Sequence, residues 1–345
     1  MSRRIVIFYS ELAGYVLACA DALAVQRDAD VHLVHWPVNS EAPFQLPDNP
    51  RIRLTDRSTL DQPALERLLS SESPDAIVVS GWMDRAYVRA VRSWTGKIPV
   101  ILGMDNHWTG SLKQRIASRF SYWLLKRSFN RIWIPGDPQR EFALRLGYSP
   151  AEMRMGWYCA DVERFLRVER SPASTNPRLL YVGRYVPQKG IDMLWEAFAA
   201  FRQNFPEWEL HCIGTGSEWD RRSTAAGIFH HGFRQPDQLL PFISQASAFV
   251  MPSLHEPWGV VLQEMAAAGL PLLTSDAVGA ATQFVRDGCN GFVFPAGDTS
   301  ALLSVFQKLA AMPSDEVSQL GERSRVLAGS WTPCDWADRL MSFLN

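Results

Sequence analysis

The sequence predicts an α/β protein built from two doubly wound parallel sheets, and three observations carry that reading. Short apolar segments alternate with helical patterns through the amino-terminal half, the rhythm of a parallel sheet covered by helices on both faces. The carboxyl-terminal half has strand-like runs that end in glycine turns, at Leu179 to Gly183 and at His211 to Gly214. The length of 345 residues exceeds the roughly 100 to 200 of an ordinary single domain, and 47% hydrophobic residues suffice for two cores.

The first strand is expected at Ile5 to Tyr9, an apolar run too short for a signal-peptide core that passes directly into Ser10 and Glu11. Further strands are expected at Val31 to His35, Arg51 to Leu54, Ala76 to Ser80, Ile98 to Gly103 and Arg131 to Ile134. Helices fall near Leu12 to Gln26, Gln62 to Ser70 and Asp84 to Trp94. Open α/β sheets bind ligands beyond the carboxyl ends of their strands, which directs attention to two loops. In Ser10-Glu11-Leu12-Ala13-Gly14-Tyr15, Gly14 would let backbone amides approach a phosphate. In Gly103-Met104-Asp105-Asn106-His107-Trp108, His107 is the stronger candidate and Asp105 the weaker one. Ser80 to Asp84 reads as a turn followed by a helix cap at Asp84.

The link between the halves lies around Trp157 to Asn176, with a polar connector at Ser171 to Pro177. The strand Leu179 to Val182 then runs into Gly183-Arg184-Tyr185-Val186-Pro187-Gln188-Lys189-Gly190, so two cations occupy the turn before the helix Ile191 to Phe201. Placed at the carboxyl end of a parallel strand, Arg184 and Lys189 would neutralise the charge on a departing nucleoside diphosphate. A second glycine turn contains Gly214 and Gly216, and the loop His231-Gly232-Phe233-Arg234-Gln235 would border a nucleobase.

Glu256 and Glu264 are separated by seven residues, the first in a Pro/Gly turn and the second inside an apolar helix that begins near Gly259. The first amides of that helix lack intrahelical partners and carry the positive end of the dipole, so a diphosphate fits there. Glu256 would accept from sugar hydroxyls and Glu264 from the paired hydroxyls of a ribose. Glu264 is the only charge between Glu256 and Asp276, and a carboxylate among Val, Leu, Met and Ala needs a polar partner.

Composition excludes several classes. A formal net charge of −1 provides no global basic field for nucleic acid. The five cysteines are odd in number and widely spread, with no Cys-x-x-Cys pair for a metal or disulfide framework, which favours a reducing compartment. No segment has the roughly 20 continuous apolar residues of a membrane span. A cytoplasmic protein is expected, one that touches a membrane only peripherally.

From about Arg178 to Asp298 the chain resembles the donor-binding half of a family 4 retaining glycosyltransferase of the GT-B fold. The likeness rests on Val-Gly-Arg with Lys-Gly following, Gly-Thr-Gly, the His-Gly-Phe loop and Glu-x7-Glu, then on Gly-Leu-Pro-Leu-Leu-Thr-Ser-Asp and the segment Asp287 to Asp298, all in this order. The resemblance implies two Rossmann-like domains facing each other across a cleft. The first spans 1–160, completed by a tail at 331–345 that crosses back to it, and the second spans 161–330. It also implies that Arg184 and Lys189 hold the diphosphate, that Glu256 and backbone amides near Trp258, Gly259 and Val260 hold the transferred sugar, and that Glu264 holds the ribose. Gly14, Gly183, Gly214, Gly216, Phe233 and Arg234 complete the expected nucleotide pocket, and His107 matches a position beside the reacting sugar.

The expected function is hexosyl transfer from a nucleoside-diphosphate sugar to a hydroxyl of a glycan or lipid-linked acceptor, in bacterial surface polysaccharide or glycolipid synthesis. The anomeric configuration would be retained by front-face displacement, with neither metal nor cofactor. Two alternatives stay open: a GT-B epimerase or hydrolase acting on a sugar nucleotide, and a non-catalytic sugar-nucleotide binder. One further segment stands out. Residues 111–131 contain Lys113, Arg115, Arg119, Lys126, Arg127 and Arg131 with no acidic residue, and Leu112, Ile116, Phe120, Trp123 and Leu124 share one helical face. Such a pattern suits an anionic membrane surface, although the cations do not gather on one side of the helix.

Overall fold

A computed structural model of the protein describes residues 2–39, 43–44, 50–171 and 176–344, which form two units. One contains the described residues up to Asn39, Phe44 to Cys159 and the tail from Pro333, and the other contains Ala160 to Thr332 with Pro43. Residues 172–175 of the polar connector lie outside the described residues.

The first unit carries strands β1 (Arg3–Tyr9), β2 (Ala29–His35), β3 (Ile52–Asp56), β4 (Ala76–Ser80), β5 (Val100–Gly103), β6 (Arg131–Ile134) and β7 (Met153–Met155). They pair in parallel in the order β3-β2-β1-β4-β5-β6-β7. β2 and β3 are added on one side of β1 and the crossover from β3 to β4 then reverses that direction, so the switch point, where open α/β sheets bind ligands, lies at the carboxyl ends of β1 and β4. β5 begins at Val100 rather than Ile98, because Pro99 has no amide to donate to a ladder. β7, three residues with an arginine at the centre, lacks an apolar run and was not anticipated. Central strands are buried on both faces: Val6, Phe8, Ile77, Val79, Leu102 and Ile132 form one core with Phe129 and Phe142 from the covering segments. Each such side chain contributes about 1.5–3 kcal/mol by leaving water.

Asp84 is the expected cap. Its Oδ1 accepts from the amides of Ala86 and Tyr87 at 2.8 and 3.2 Å, starting the helix Arg85–Val91. The tail folds as the helix Pro333–Met341 and packs against the helix Gly14–Gln26. There the Trp336 ring stacks on Trp133 at 4.8 Å and its Nε1 donates to the Trp157 carbonyl at 2.8 Å.

The second unit contains β8 (Arg178–Val182), β9 (Glu209–Ile213), β10 (Ile228–His230), β11 (Ala248–Met251), β12 (Leu272–Ser275) and β13 (Gly291–Phe294). They form a parallel sheet in the order β10-β9-β8-β11-β12-β13, whose point of reversal lies between β8 and β11. Leu179, Tyr181, Leu210, Val250 and Leu273 pack with Phe198 and Phe201 of the helix Ile191–Arg202 and with Phe306 of the helix Thr299–Ala310. Both units are thus doubly wound α/β domains. All five cysteines are free thiols. Among the described residues no helix is long and apolar enough to cross a membrane.

Candidate active site

The carboxyl ends of β8 and β11, on either side of the reversal, bring together most of the residues singled out in the second half. After β8, Gly183 donates to the Ile213 carbonyl at 3.0 Å and Tyr185 donates to the Thr215 carbonyl at 2.8 Å, so the loop bearing Arg184 is laced to the Gly214-Thr215-Gly216 turn. That turn is tolerated only by glycine: a Cβ on Gly214, at φ +135°, would lie 1.9 Å from the Gly183 carbonyl oxygen. Tyr181, on β8, donates its hydroxyl to the Arg184 carbonyl at 2.8 Å and braces the same loop from beneath. The Arg184 side chain itself is exposed.

Lys189 ends a short 3-10 turn, Pro187–Lys189, and its ammonium is ion-paired with the Glu256 carboxylate. The turn is held against the loop after β11, where Leu254 and His255 both donate to the Gln188 carbonyl at 2.8 and 3.2 Å. Glu256 is in turn fixed through its backbone, its amide donating to Ala277 at 3.3 Å and its carbonyl accepting from Gly279 at 3.0 Å. Both side chains of the pair are mostly shielded from water, 19% and 11% exposed.

Gly259 caps the helix Val260–Ala267 in the left-handed conformation, at φ +93°. A Cβ there would press on Met251 at 2.6 Å and on the Cγ of Glu256 at 3.1 Å. Gly259, Val260 and Val261 remain partly exposed, so the positive end of this helix is open to an anion beside the Lys189–Glu256 pair. Trp258 differs from its neighbours: the residue is buried, its indole lies against Phe284 and its carbonyl accepts from the Ala280 amide at 2.9 Å, so its side chain is not placed to meet a ligand in the pocket expected from the sequence.

Glu264 lies in the second turn of that helix. Burial raises its carboxyl to a pKa of about 7; the charge of Asp161 adds to the shift and Arg164 opposes it. Asp161 is itself raised by burial, and Arg164 bridges to it at 3.0 Å. Residues 161–165 fall within the segment expected to link the domains, but the structure sets Asp161 and Arg164 beside Glu264, a place the sequence does not show. Their only signal was an acidic residue three positions before an arginine in a short helix, Val162–Leu166, and such pairs are common on helix surfaces. Gln263 was missed as well. Its side chain is fully buried, accepting from the Ala160 amide at 2.8 Å and donating to the carbonyls of Ala328 and Trp331 at 3.2 and 2.7 Å. It locks the helix of the site onto the segment leading in and the segment leading out.

Phe233 is partly buried and Arg234 is exposed, in a loop whose neighbours form a histidine cluster. His231 shares a 3.0 Å hydrogen bond with His211, which meets Glu209 at 3.0 Å. Burial, then the adjacent His211 and Arg234, push His231 down to about 4.

In the first unit, Gly14 is the opening residue of the helix Gly14–Gln26, whose first turn contains no carboxylate. His107 follows β5, and its carbonyl accepts from Gln114 Nε2 at 2.7 Å. Asp105 accepts from the Tyr158 hydroxyl at 3.0 Å, Tyr158 meets Tyr15 edge-on at 5.9 Å, and Tyr15 and Tyr9 hydroxyls are 3.5 Å apart. Sequence spacing could not have anticipated this tyrosine cluster, which joins residues from three distant segments.

Two family models match successive parts of the chain: glycosyl transferases group 1 over residues 162–326 and the glycosyl transferase 4-like domain over residues 11–155. The chain belongs to the group 1 glycosyl transferases. Among curated relatives, it is 26% identical to a glycogen synthase of Mycobacterium tuberculosis over 61% of this chain and 53% of the relative. It is 35% identical to a phosphatidyl-myo-inositol mannosyltransferase of Mycobacterium leprae over 36% of each. A lipopolysaccharide core biosynthesis glycosyltransferase of Rhizobium meliloti is 31% identical over 43% of this chain and 44% of that one. The chain thus spans about half the length of these relatives, or less. Among solved structures, the fold matches sucrose-phosphate synthase from Thermosynechococcus elongatus (TM-score 0.72, 20% identity, 99% and 98% of the two chains covered). It also matches Anabaena HepE in complex with UDP (TM-score 0.74, 15% identity, 99% of each chain). The fold is therefore GT-B.

Proposed function

We propose that the protein transfers a hexose from a nucleoside-diphosphate sugar to a hydroxyl of a glycan or lipid-linked acceptor, in the synthesis of a bacterial surface polysaccharide or glycolipid. The observation that carries this reading is the Lys189–Glu256 pair beside the open start of the helix Val260–Ala267, at the reversal point of a parallel sheet. A pyrophosphate placed there meets the helix amides and two cations, and its negative charge grows as the bond to the sugar breaks. Arg184 and Lys189 then stabilise the leaving group more than the bound substrate, which is what lowers a barrier.

In the proposed step the bond from C1 of the sugar to the β-phosphate oxygen breaks through an oxocarbenium-like state. The acceptor oxygen bonds to C1 on the same face, and its proton passes to the departing phosphate oxygen, so configuration is retained. Glu256 holds the hydroxyls of the transferred sugar, while Glu264 accepts from the ribose. The positive charge comes from protein groups, so activity is expected to survive chelators. The relatives named for mannosyl transfer to a phosphatidylinositol and for lipopolysaccharide core synthesis support a lipid-linked or glycan acceptor, and the neighbour solved with UDP supports a uridine donor. A cytoplasmic site of action follows from where such donors are made.

The test is a thermal-shift panel of UDP, GDP, dTDP and ADP sugars, because a ligand bound only by the folded state raises the unfolding temperature by mass action. The stabilising donor is then incubated with and without glycan acceptors. Transfer only when acceptor is present supports a transferase. Conversion of donor in its absence would assign an epimerase or hydrolase, and binding without any product would assign a sensor.

A further inference from the structure

The helix Leu112–Arg119 faces the wrong way for a helix whose only task is to cover a sheet. Its protein side carries Gln114, Ala117 and Ser118, followed by buried Ser121. Gln114 accepts from the Thr109 amide at 2.7 Å while donating to the His107 carbonyl, and Ala117 packs on the core. The apolar stripe points to solvent instead: Leu112 is 74% exposed, Ile116 50% and Phe120 53%, continued by Trp123 at 63% and Leu124 at 50%.

At 100° per residue Leu112, Ile116 and Phe120 form one row, with Arg115 and Arg119 along one edge and Lys113 along the other. Lys113, Arg115 and Arg119 thus border the stripe on both sides, whereas Lys126 turns inward to the Gly147 carbonyl at 2.7 Å and to Glu152. Arg127 adds a guanidinium 5.3 Å from the Trp123 ring centre. The segment is anchored from behind by Leu125 and Phe129, both buried, so the outer stripe is not needed to hold it in place.

We propose that the outer face of residues 112–127 docks on an anionic lipid bilayer. Exposed leucine, isoleucine, phenylalanine and tryptophan supply a surface that enters the headgroup–acyl boundary, and flanking Lys and Arg keep their charges at the level of the lipid phosphates. Protein interfaces, by contrast, are depleted in lysine at their apolar centres. The charge is local, since the whole chain has a net charge of −1 while residues 111–131 contain no carboxylate. This inference does not depend on the donor-site reading, and its test contains no sugar nucleotide.

The full chain is floated with phosphatidylcholine vesicles and with vesicles in which part of that lipid is replaced by phosphatidylglycerol. Capture by the anionic vesicles alone, weakening as salt is raised, is expected. Leu112→Ser/Ile116→Ser/Trp123→Ser should weaken capture by on the order of 10-fold per side chain. Lys113→Glu/Arg119→Glu/Arg127→Glu should weaken it by at least ~100-fold, at about 5-fold for each cation lost. The replaced side chains are exposed, so both variants should keep the wild-type unfolding midpoint, and the single change Trp123→Ser serves if the triple apolar variant unfolds. Equal capture by neutral vesicles, or undiminished capture of either variant, would overturn the proposal. So would a wild-type dimer in gel filtration that the apolar substitutions convert to monomer, because the face would then belong to a second copy of the chain.

Discussion

The ammonium of Lys189 and the carboxylate of Glu256 form an ion pair although 67 residues separate them, one from the turn after β8 and the other from the loop after β11. The pairing holds a cation at the reversal point of the sheet and spares a shielded carboxylate from standing alone. On the proposed donor-site reading, a bound pyrophosphate would compete with Glu256 for that ammonium, and the pair would keep Lys189 in place before donor arrives.

Removing Lys189 should therefore have two separable effects. Lys189→Ala is expected to lower turnover by roughly a hundredfold or more and stability by on the order of 3 kcal/mol, since Glu256 is left shielded and unpaired. In Lys189→Met/Glu256→Gln the stability should return while turnover stays low. Urea unfolding and initial rates on the same preparations distinguish the two, and a double variant that recovered activity would remove Lys189 from the reaction.

Gly259→Ala tests the helix start. The left-handed φ costs about 1 kcal/mol for a residue with a Cβ, and the clash is with the mobile end of Met251 and with Glu256. The protein should fold with a modest loss of stability, whereas donor turnover falls by about tenfold or more because Glu256 is displaced. Gly214→Ala should be far worse for folding, with rigid backbone 1.9 Å from the new atom. A Gly214→Ala protein of wild-type stability would refute this packing.

Glu264 predicts a pH dependence with a definite sign. Its carboxyl is raised from an ordinary 4.5 to about 7 by burial, so the native state binds the extra proton. That contribution to stability is complete below pH 4.5 and is lost as the pH rises to 7. His231, pushed down from 6.5 to about 4, works in the opposite direction over much of the same range and partly hides the effect in the wild type. The difference between Glu264→Gln and wild type isolates it: the variant should gain relative stability from pH 4.5 to 7, reaching about 3 kcal/mol. If Glu264 receives ribose hydroxyls, donor binding near pH 6.5 should also release protons. Calorimetry in buffers of different ionisation enthalpy would detect them, and a flat response would move the ribose elsewhere.

His107→Ala should leave the donor-induced thermal shift unchanged while reducing turnover, by about a hundredfold if the imidazole assists at the reacting sugar. Loss of donor stabilisation instead would mean that the residue holds the nucleotide.

Trp336→Ala should cost about 3–5 kcal/mol, because it removes both the stack on Trp133 and the hydrogen bond to Trp157. The loss should fall on the unfolding transition of the first unit, which the tail completes. A variant that weakened only the second unit would contradict this packing.

The alternation of apolar strands and helices was enough to read two doubly wound sheets, because strands buried on both faces must be apolar throughout and the turns between them need glycine and polar residues. Ala76 to Ser80 and Arg131 to Ile134 were legible to the residue for that reason, whereas Met153–Met155 was not, its pattern being too short to carry a period. The motifs after β8 and β11 were equally legible, since a glycine turn, a cation and a helix start are local features of the chain.

Which of those motifs meet was decided only by the tertiary structure. Sequence order is silent on the reversal between β8 and β11, and so on the pairing of Lys189 with Glu256. It did not reveal that Asp161 and Arg164 border Glu264, that Gln263 fastens the site helix at both ends, or that the helix Leu112–Arg119 turns its apolar stripe outward. The physical reason is that helical or strand periodicity says which residues share a face, while burial and pairing depend on what packs against that face from segments far away in the chain.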